Sequence, residues 1–312
     1  MPRVWEKFYA AVSEKLDEAT GVKAAIANRA MSVGRQHTAA LNRGEQPGGL
    51  LGAQYGLFDR LVYGKAKEAM GLDRCQYMFS SAAPLDPSIT DFFAGLGMQL
   101  LQLYGESECT GVCAFNQPTM NRVGSVGLAV PGVELAIAED GEILTRGPNV
   151  FLGYLRNPEA TREALTEDGW LKTGDIGHID DDGFLFITDR KKDIIITAGG
   201  ENVTPSLIES ALQTNPLIAT VVVIGDQRPY LTALISLDPE AAEGMSTEEI
   251  QQSVQEAVDQ VNASSSRVRQ LKKFSILDEP LSIEHGELTP TLKVKRNVVR
   301  DHFSEEIEAM YR

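Results

Sequence analysis

Three short stretches gather the side chains that could handle a phosphorylated ligand. Tyr104-Gly105-Glu106-Ser107-Glu108 puts an aromatic ring, a glycine, a hydroxyl and two carboxylates side by side. A ring offers its face to a base, a glycine admits a ligand close to the backbone, a hydroxyl donates to phosphate, and a carboxylate holds a cation. The same stretch also reads as a polar loop capping a strand, and composition alone does not choose. Leu171-Lys172-Thr173-Gly174-Asp175 sets a carboxylate after a tight glycine turn, where it can accept two hydrogen bonds from a ribose diol or simply close a turn. Asp189-Arg190-Lys191-Lys192-Asp193 joins cations to a strand and to the bend Thr197-Ala198-Gly199-Gly200-Glu201-Asn202, itself readable as a plain glycine turn. Lys293-Val294-Lys295-Arg296 is a second local spot that can attract an anion.

Other chemistries lack their residues. No glycine-rich stretch ends in the Lys-Ser/Thr of a P-loop, and Gly95-Leu96-Gly97 sits at a helix end without a third glycine. His37, His178, His285 and His302 show no zinc-ligand spacing, and Cys109 and Cys113 read as small buried hydrophobes.

The elements that must position these stretches follow from hydrophobic period. Val4, Phe8, Val12 and Leu16 recur every four residues, predicting a helix that Gly21 ends, and a second helix runs towards Leu41. The glycines between Gly44 and Gly56 predict a loop, after which Cys75, Tyr77 and Phe79 alternate as a strand. Pro87 opens a helix with Ile89, Phe92, Phe93 and Leu96 on one face, closed by Gly97, and residues 100–103 read as a buried strand. This α/β rhythm places the loops 80–84 and 104–108 at strand ends, where such folds bind ligands.

From Gly124 to Phe186 short alternating segments separated by Pro131-Gly132, Asp140-Gly141 and Asp182-Gly183 predict a small barrel-like β unit. Beyond Asp189 the α/β rhythm returns, with strands near 194–196, 220–224, 231–237 and 274–277 and a helix from Pro205. Another helix spans 247–261, opened by a Ser246/Glu249 capping box. A last helix carries Val299, Phe303, Ile307 and Met310.

A length of 312 residues suits about two domains, and 29 basic against 44 acidic residues give a charge of −15 that repels nucleic acid. The first residues lack the apolar core of a secretory signal, no span reaches membrane length, and three cysteines fit a reducing cytoplasm.

Six segments then fall in one order: Ser81-Ala82-Ala83-Pro84-Leu85, Tyr104 to Glu108, Gly141-Glu142-Ile143-Leu144-Thr145-Arg146-Gly147, Lys172-Thr173-Gly174-Asp175, Asp189 to Asn202, and Thr289-Pro290-Thr291-Leu292-Lys293. With them the chain resembles the adenylate-forming (AMP-binding) superfamily, and most of all its long-chain fatty acyl-CoA synthetases, over essentially its whole length. The resemblance implies a mixed, multidomain α/β fold. Residues 1–189 would be the later part of a large AMP-binding domain, α/β over 1–115 and β-rich over 116–189. Residues 190–312 would be a small mobile lid domain, with a hinge near 190–193 at Lys192.

It also implies two reactions. A fatty carboxylate attacks the α-phosphate of Mg-ATP to give acyl-adenylate and diphosphate, and the thiol of coenzyme A then takes the acyl group and releases AMP. Nucleotide binding would fall to Ala82, Ala83, Pro84, Gln102, Leu103, Tyr104, Gly105, Glu106, Ser107, Asp175 and Arg190. Within that set Tyr104 packs on adenine, Ser107 donates to phosphate, and Asp175 with Arg190 grips the ribose. Glu108 would hold Mg2+, Lys293 would meet the reacting phosphate and carboxylate, and Ala198, Gly199 and Gly200 would line the coenzyme A tunnel. Fatty acid, ATP and coenzyme A are the implied partners, and a peripheral membrane contact stays open.

The family's Ser/Thr/Gly-rich phosphate loop and its His-containing motif near the acyl tunnel belong upstream of the matching segments, and neither occurs in this sequence. The chain therefore reads as N-terminally truncated, with weak or no adenylation alone. An inert remnant binding AMP or a partner, and a module that feeds acyl-adenylate to a carrier protein, stay open as alternatives.

Overall fold

The structure, a computed structural model, describes residues 2–83, 85–290 and 292–312. The chain divides into two compact units, residues 1–192 and 193–312. In the first, α1 (Pro2–Asp17) turns Trp5, Phe8, Val12 and Leu16 into a core shared with Ile89, Phe92, Phe93 and Leu96. The inward residue of its first turn is Trp5, whereas Val4, expected on the stripe, is exposed. Gly21 does not end α1. It opens α2 (Gly21–Asn42) at φ +59, a left-handed conformation that lets the chain reverse between the helices.

The glycine-rich stretch expected as a loop is helical from Gly49. It forms α3 (Gly49–Phe58), passes through a π-turn at Asp59–Tyr63 and continues as α4 (Gly64–Ala69). Leu51, Tyr55, Phe58 and Tyr63 bury the inner face, and the Tyr63 hydroxyl donates to the Ala30 carbonyl at 2.6 Å. Each helical glycine costs up to about 1 kcal/mol against alanine, and this aromatic packing offsets it.

Next come β1 (Met78–Ser80), α5 (Pro87–Gly95, capped by Asp86) and β2 (Leu100–Tyr104). The alternation at Cys75, Tyr77 and Phe79 has the right period but the opposite face. Met78 and Ser80 point inward, Tyr77 and Phe79 are exposed, and Cys75 precedes the strand. The strands β1 and β2 pair in parallel, and β3 (Ala114–Phe115) and β4 (Leu128–Ala129) extend the sheet antiparallel in the order β1-β2-β3-β4.

The β-rich part contains β5 (Glu134–Ile137), β6 (Glu142–Arg146), the short helix α6 (Pro158–Ala164), β7 (Leu171–Ile179) and β8 (Leu185–Arg190). The strands form an antiparallel meander in chain order. Its ladders place β5 and β8 at opposite ends of the order, and β8 is met on its outer side by an isolated bridge from Leu185 to Gly127, so among the described residues the four strands do not pair into the barrel-like closure that was expected. Gly132, Gly141 and Gly183 take the positive φ that the three predicted turns require.

The second unit holds the hairpin β9 (Ile195–Ile196) and β10 (Asn202–Val203), then α7 (Pro205–Leu212), β11 (Ile218–Ile224), β12 (Leu231–Leu237), α8 (Pro239–Ala242), α9 (Thr247–Ala263) and β13 (Leu271–Ile276). β11 and β12 pair antiparallel, and β12 and β13 parallel. Val221 and Val223 face a core with Val254 and Val258 of α9, while Val222 and Ile224 face the opposite one. The final helix breaks at Phe303 into α10 (Arg296–His302) and α11 (Ser304–Met310), yet Val299, Phe303, Ile307 and Met310 still share that second core. The Ser246/Glu249 capping box is present at the start of α9.

The helices α2 and α5 touch backbone to backbone, since a Cβ on Gly34 would lie 2.1 Å from the Gly95 carbonyl oxygen. Gly34→Ala should therefore lower stability by about 1–3 kcal/mol. Gly56→Ala, at a helical site with nothing within 4 Å, should raise it by about 0.5–1 kcal/mol. Urea midpoints of the two variants check both signs.

Candidate functional site

Parallel pairing of β1 with β2 brings the loops after Ser80 and after Tyr104 out of the same sheet edge. The β7–β8 hairpin supplies the opposing groups, because its register sets Asp175 opposite Arg190. There the Tyr104 hydroxyl donates to Asp175 Oδ2 at 2.6 Å, and Arg190 Nε lies 3.1 Å from Asp175 Oδ1. Tyr104 is 7% exposed and Asp175 6%, so this carboxylate is removed from water and held by a phenol and a guanidinium. Burial, and then the Asp175 charge, push the Tyr104 hydroxyl's pKa far up, which keeps it a donor. Thr173 donates to the Ile143 carbonyl at 2.8 Å and accepts the Asp175 amide at 3.1 Å, fixing the backbone beneath.

Loop 105–108 is built on itself. A Cβ on Gly105 would lie 2.5 Å from the Gly111 carbonyl oxygen, so this glycine serves a close approach of the chain's own backbone, where a ligand was expected. The Glu106 carbonyl accepts the Cys109 amide at 3.1 Å and the Glu106 amide donates to Cys109 Sγ at 3.2 Å, closing the 3-10 turn Ser107–Cys109, and Ser107 is exposed on that turn. Glu108 accepts the Tyr154 hydroxyl at 2.8 Å, and its carbonyl takes the Phe151 amide at 2.8 Å. The hydroxyl–carboxylate bond to Glu108 is the main cause that pushes the Tyr154 hydroxyl up to about 12. Cys109 and Cys113 are buried free thiols beside Tyr104.

Of the other expected residues, Gln102 is buried in β2 and its carbonyl accepts the Asn116 amide, while Leu103 pairs with Phe115. Ala82 and Ala83 are exposed on the bend after β1, Ala82 at φ +81, and Pro84 lies outside the described residues. Lys192 is exposed at the end of the first unit. In the second unit Ala198, Gly199 and Gly200 form the exposed turn between β9 and β10, with Gly200 at φ +79. Gly199 borders a groove of about 560 Å³ that also takes in Tyr230, Arg267, Lys272 and Lys273. Lys293 is exposed, its amide held by Thr289 Oγ1 at 2.9 Å.

The two cationic spots are partly neutralised within the fold. Arg190 pairs with Asp175, Lys191 with Asp140 and Glu142, and Arg296 with Glu209. Sequence reasoning missed Tyr154, which lies outside the quoted motifs and 46 positions from its partner Glu108. It also gave no role to Thr173, Glu142 or Lys191, although all three lie inside quoted motifs. Among the described residues no three His, Cys, Asp or Glu side chains are arranged to hold a metal ion, and no helix is long and apolar enough to cross a membrane.

Family models match nearly the whole chain in two pieces: residues 3–155 match the AMP-binding enzyme and residues 192–312 the AMP-binding enzyme C-terminal domain. The chain is 43% identical over 327 residues to the long-chain-fatty-acid–CoA ligase FadD15 of Mycobacterium bovis, covering 100% of this chain and 54% of that protein. The chain thus spans about half the length of the curated relatives it matches. Among solved structures, the adenylation domain of a carboxylate reductase from Mycobacterium chelonae is similar at TM-score 0.67 and 25% identity, over 90% of this chain and 45% of that one. The o-succinylbenzoate–coenzyme A synthetase MenE of Bacillus subtilis, in complex with ATP and magnesium, gives TM-score 0.56 and 27% identity over 71% of this chain and 46% of that one. The expected mixed α/β architecture and the AMP-binding resemblance both hold.

Burial first, then the charges of Glu108 and Asp175, push the Glu106 carboxyl up from 4.5 to about 8. With the folded value above the unfolded one, Glu106 stabilises the fold fully below about pH 4.5, and that contribution is lost as pH rises through 8. Glu106→Gln should remove this decline, so its urea midpoint should gain on the wild type between about pH 5 and about pH 9. A midpoint difference that stays constant over that range would contradict the shift.

Proposed function

This chain belongs to the AMP-binding, adenylate-forming enzymes, and from that premise we propose that it carries the AMP-side and lid portions of a long-chain fatty acid–CoA ligase. The observation that carries this reading is the buried carboxylate Asp175, fixed between Tyr104 and Arg190 at the carboxyl edge of a parallel strand pair. A carboxylate oxygen can accept more than one hydrogen bond, as a ribose diol needs.

In this reading Asp175 and Arg190 hold the ribose, the loop around Ala82 and Ala83 flanks the adenine with Tyr104, and Ser107 donates to phosphate. Mg2+ arrives on ATP, because the ion keeps phosphate and water ligands and needs only one or two carboxylates; Glu108, released from Tyr154, is the side chain that would hold it. Its charge would neutralise the diphosphate. Lys293 comes from the second unit, so adenylation requires the units to meet and thioester formation requires them to part, with Lys192 at the division.

The turn at Ala198, Gly199 and Gly200 leaves room for the thin pantetheine chain of coenzyme A. The cations Arg267, Lys272 and Lys273 in the adjoining groove suit that cofactor's phosphates. A second reading is delivery of the acyl-adenylate to a carrier protein, since the similar solved structures include the adenylation domain of a carboxylate reductase as well as coenzyme A synthetases.

The test is acyl-CoA formation from palmitate, ATP, Mg2+ and coenzyme A by this chain alone and together with the upstream portion its relatives carry. We expect turnover with that portion present, and there Lys293→Ala should slow adenylation about 100-fold or more while leaving thioester formation from preformed acyl-adenylate within a few-fold. Equal losses in both steps would remove Lys293 from this role. Silence in every combination, with AMP still bound, would favour the inert remnant.

A further inference from the structure

Asp175 and Arg190 face each other across β7 and β8, and their neighbours are tied to one carboxylate. Gly174, just before Asp175, donates its amide to Glu142 Oε1 at 2.9 Å. Lys191, just after Arg190, gives its ammonium to Glu142 Oε2 at 2.9 Å and to Asp140 at 2.5 Å. The Lys191 amide closes the ring on the Gly174 carbonyl at 2.8 Å. Glu142 is 7% exposed, so both of its oxygens depend on these partners.

Strand pairing alone does not fix this corner. The β6–β7 register shifts between Glu142 and Leu144, the β7–β8 register shifts between Ile176 and Gly177, and Gly174 sits at φ +69. Irregular ladders let a strand twist locally, and a twist at Asp175 would turn its carboxylate away from a bound sugar.

We infer that Glu142 and Lys191 are positioning residues of the nucleotide site, holding Gly174 and the chain after Arg190 so that Asp175 and Arg190 present one rigid acceptor–donor pair to the ribose hydroxyls. The inference rests on the reading of Asp175 and Arg190 as the ribose grip. Glu142 and Lys191 act through that pair and need no contact with the nucleotide. Because Lys191 precedes Lys192, the same ring anchors the first unit's last strand one residue before its boundary.

The test titrates the full chain with AMP and with 2′,3′-dideoxy-AMP, which lacks the diol. The wild type should bind AMP about tenfold or more tightly than the dideoxy analogue. Glu142→Gln keeps an acceptor for Gly174 but loses the charge that holds Lys191, and Lys191→Met, at a half-exposed site, removes the cation alone. Each should weaken AMP about three- to tenfold and leave the dideoxy analogue unchanged, while Lys191→Arg restores AMP binding. Losses shared equally by both nucleotides, or no loss, would overturn the positioning role while leaving the ribose reading intact. A wild-type chain that binds both nucleotides equally, or neither, would overturn the ribose reading and this inference with it.

Discussion

A carboxylate buried to 6% exposure must have its charge met, and in this chain much of the site follows from meeting that of Asp175. The desolvation cost of such an ion is several kcal/mol, recovered only when hydrogen bonds and an opposite charge are fixed in place. Tyr104 supplies one bond from the end of β2 and Arg190 supplies the charge from β8, so two sheets are joined at one side chain. Every neighbour then acquires a constraint. Thr173 holds the Asp175 amide, Glu142 holds Gly174 and Lys191, and Gly105 lets the loop beyond Tyr104 close on Gly111.

That arrangement suits a reaction whose difficulty lies in placing charge. The adenylate-forming route needs an anionic nucleotide held still while charge develops on phosphate and carboxylate oxygens, a task of fixed donors and cations in a dry site. Burial, and then the charges of Glu108 and Asp175, raise the Glu106 carboxyl to about 8, so near neutral pH this acid adds little negative charge to the loop beyond Tyr104.

Much of the scaffold was legible in the sequence because period and turn chemistry are local. The helix with Ile89, Phe92 and Phe93, the turns at Gly132, Gly141 and Gly183, and the Ser246/Glu249 cap stand as read. The misreadings share one cause, which is tertiary packing overriding local preference. Residues 49–58 are helical because Tyr55 and Phe58 find Tyr63, not because their glycines favour a helix, and Tyr77 and Phe79 face outward because Met78 meets the α1–α5 core. Within the candidate site, the direct contact of Tyr104, Asp175 and Arg190 joins residues 71 and 15 positions apart, which no spacing announces. Resemblance to a family named those residues; only the fold gives the bonds between them and brings in Tyr154 and Glu142.

The central claim is that Asp175 is a nucleotide-gripping acid and not merely a structural one. Calorimetric titration of AMP into the folded chain and into Asp175→Asn tests it most directly, since asparagine keeps the shape and removes the charge. The account predicts that AMP binds the variant about ten- to a hundredfold more weakly, the value of charge-assisted bonds to a ribose diol. Equal AMP affinity in the two proteins would contradict it.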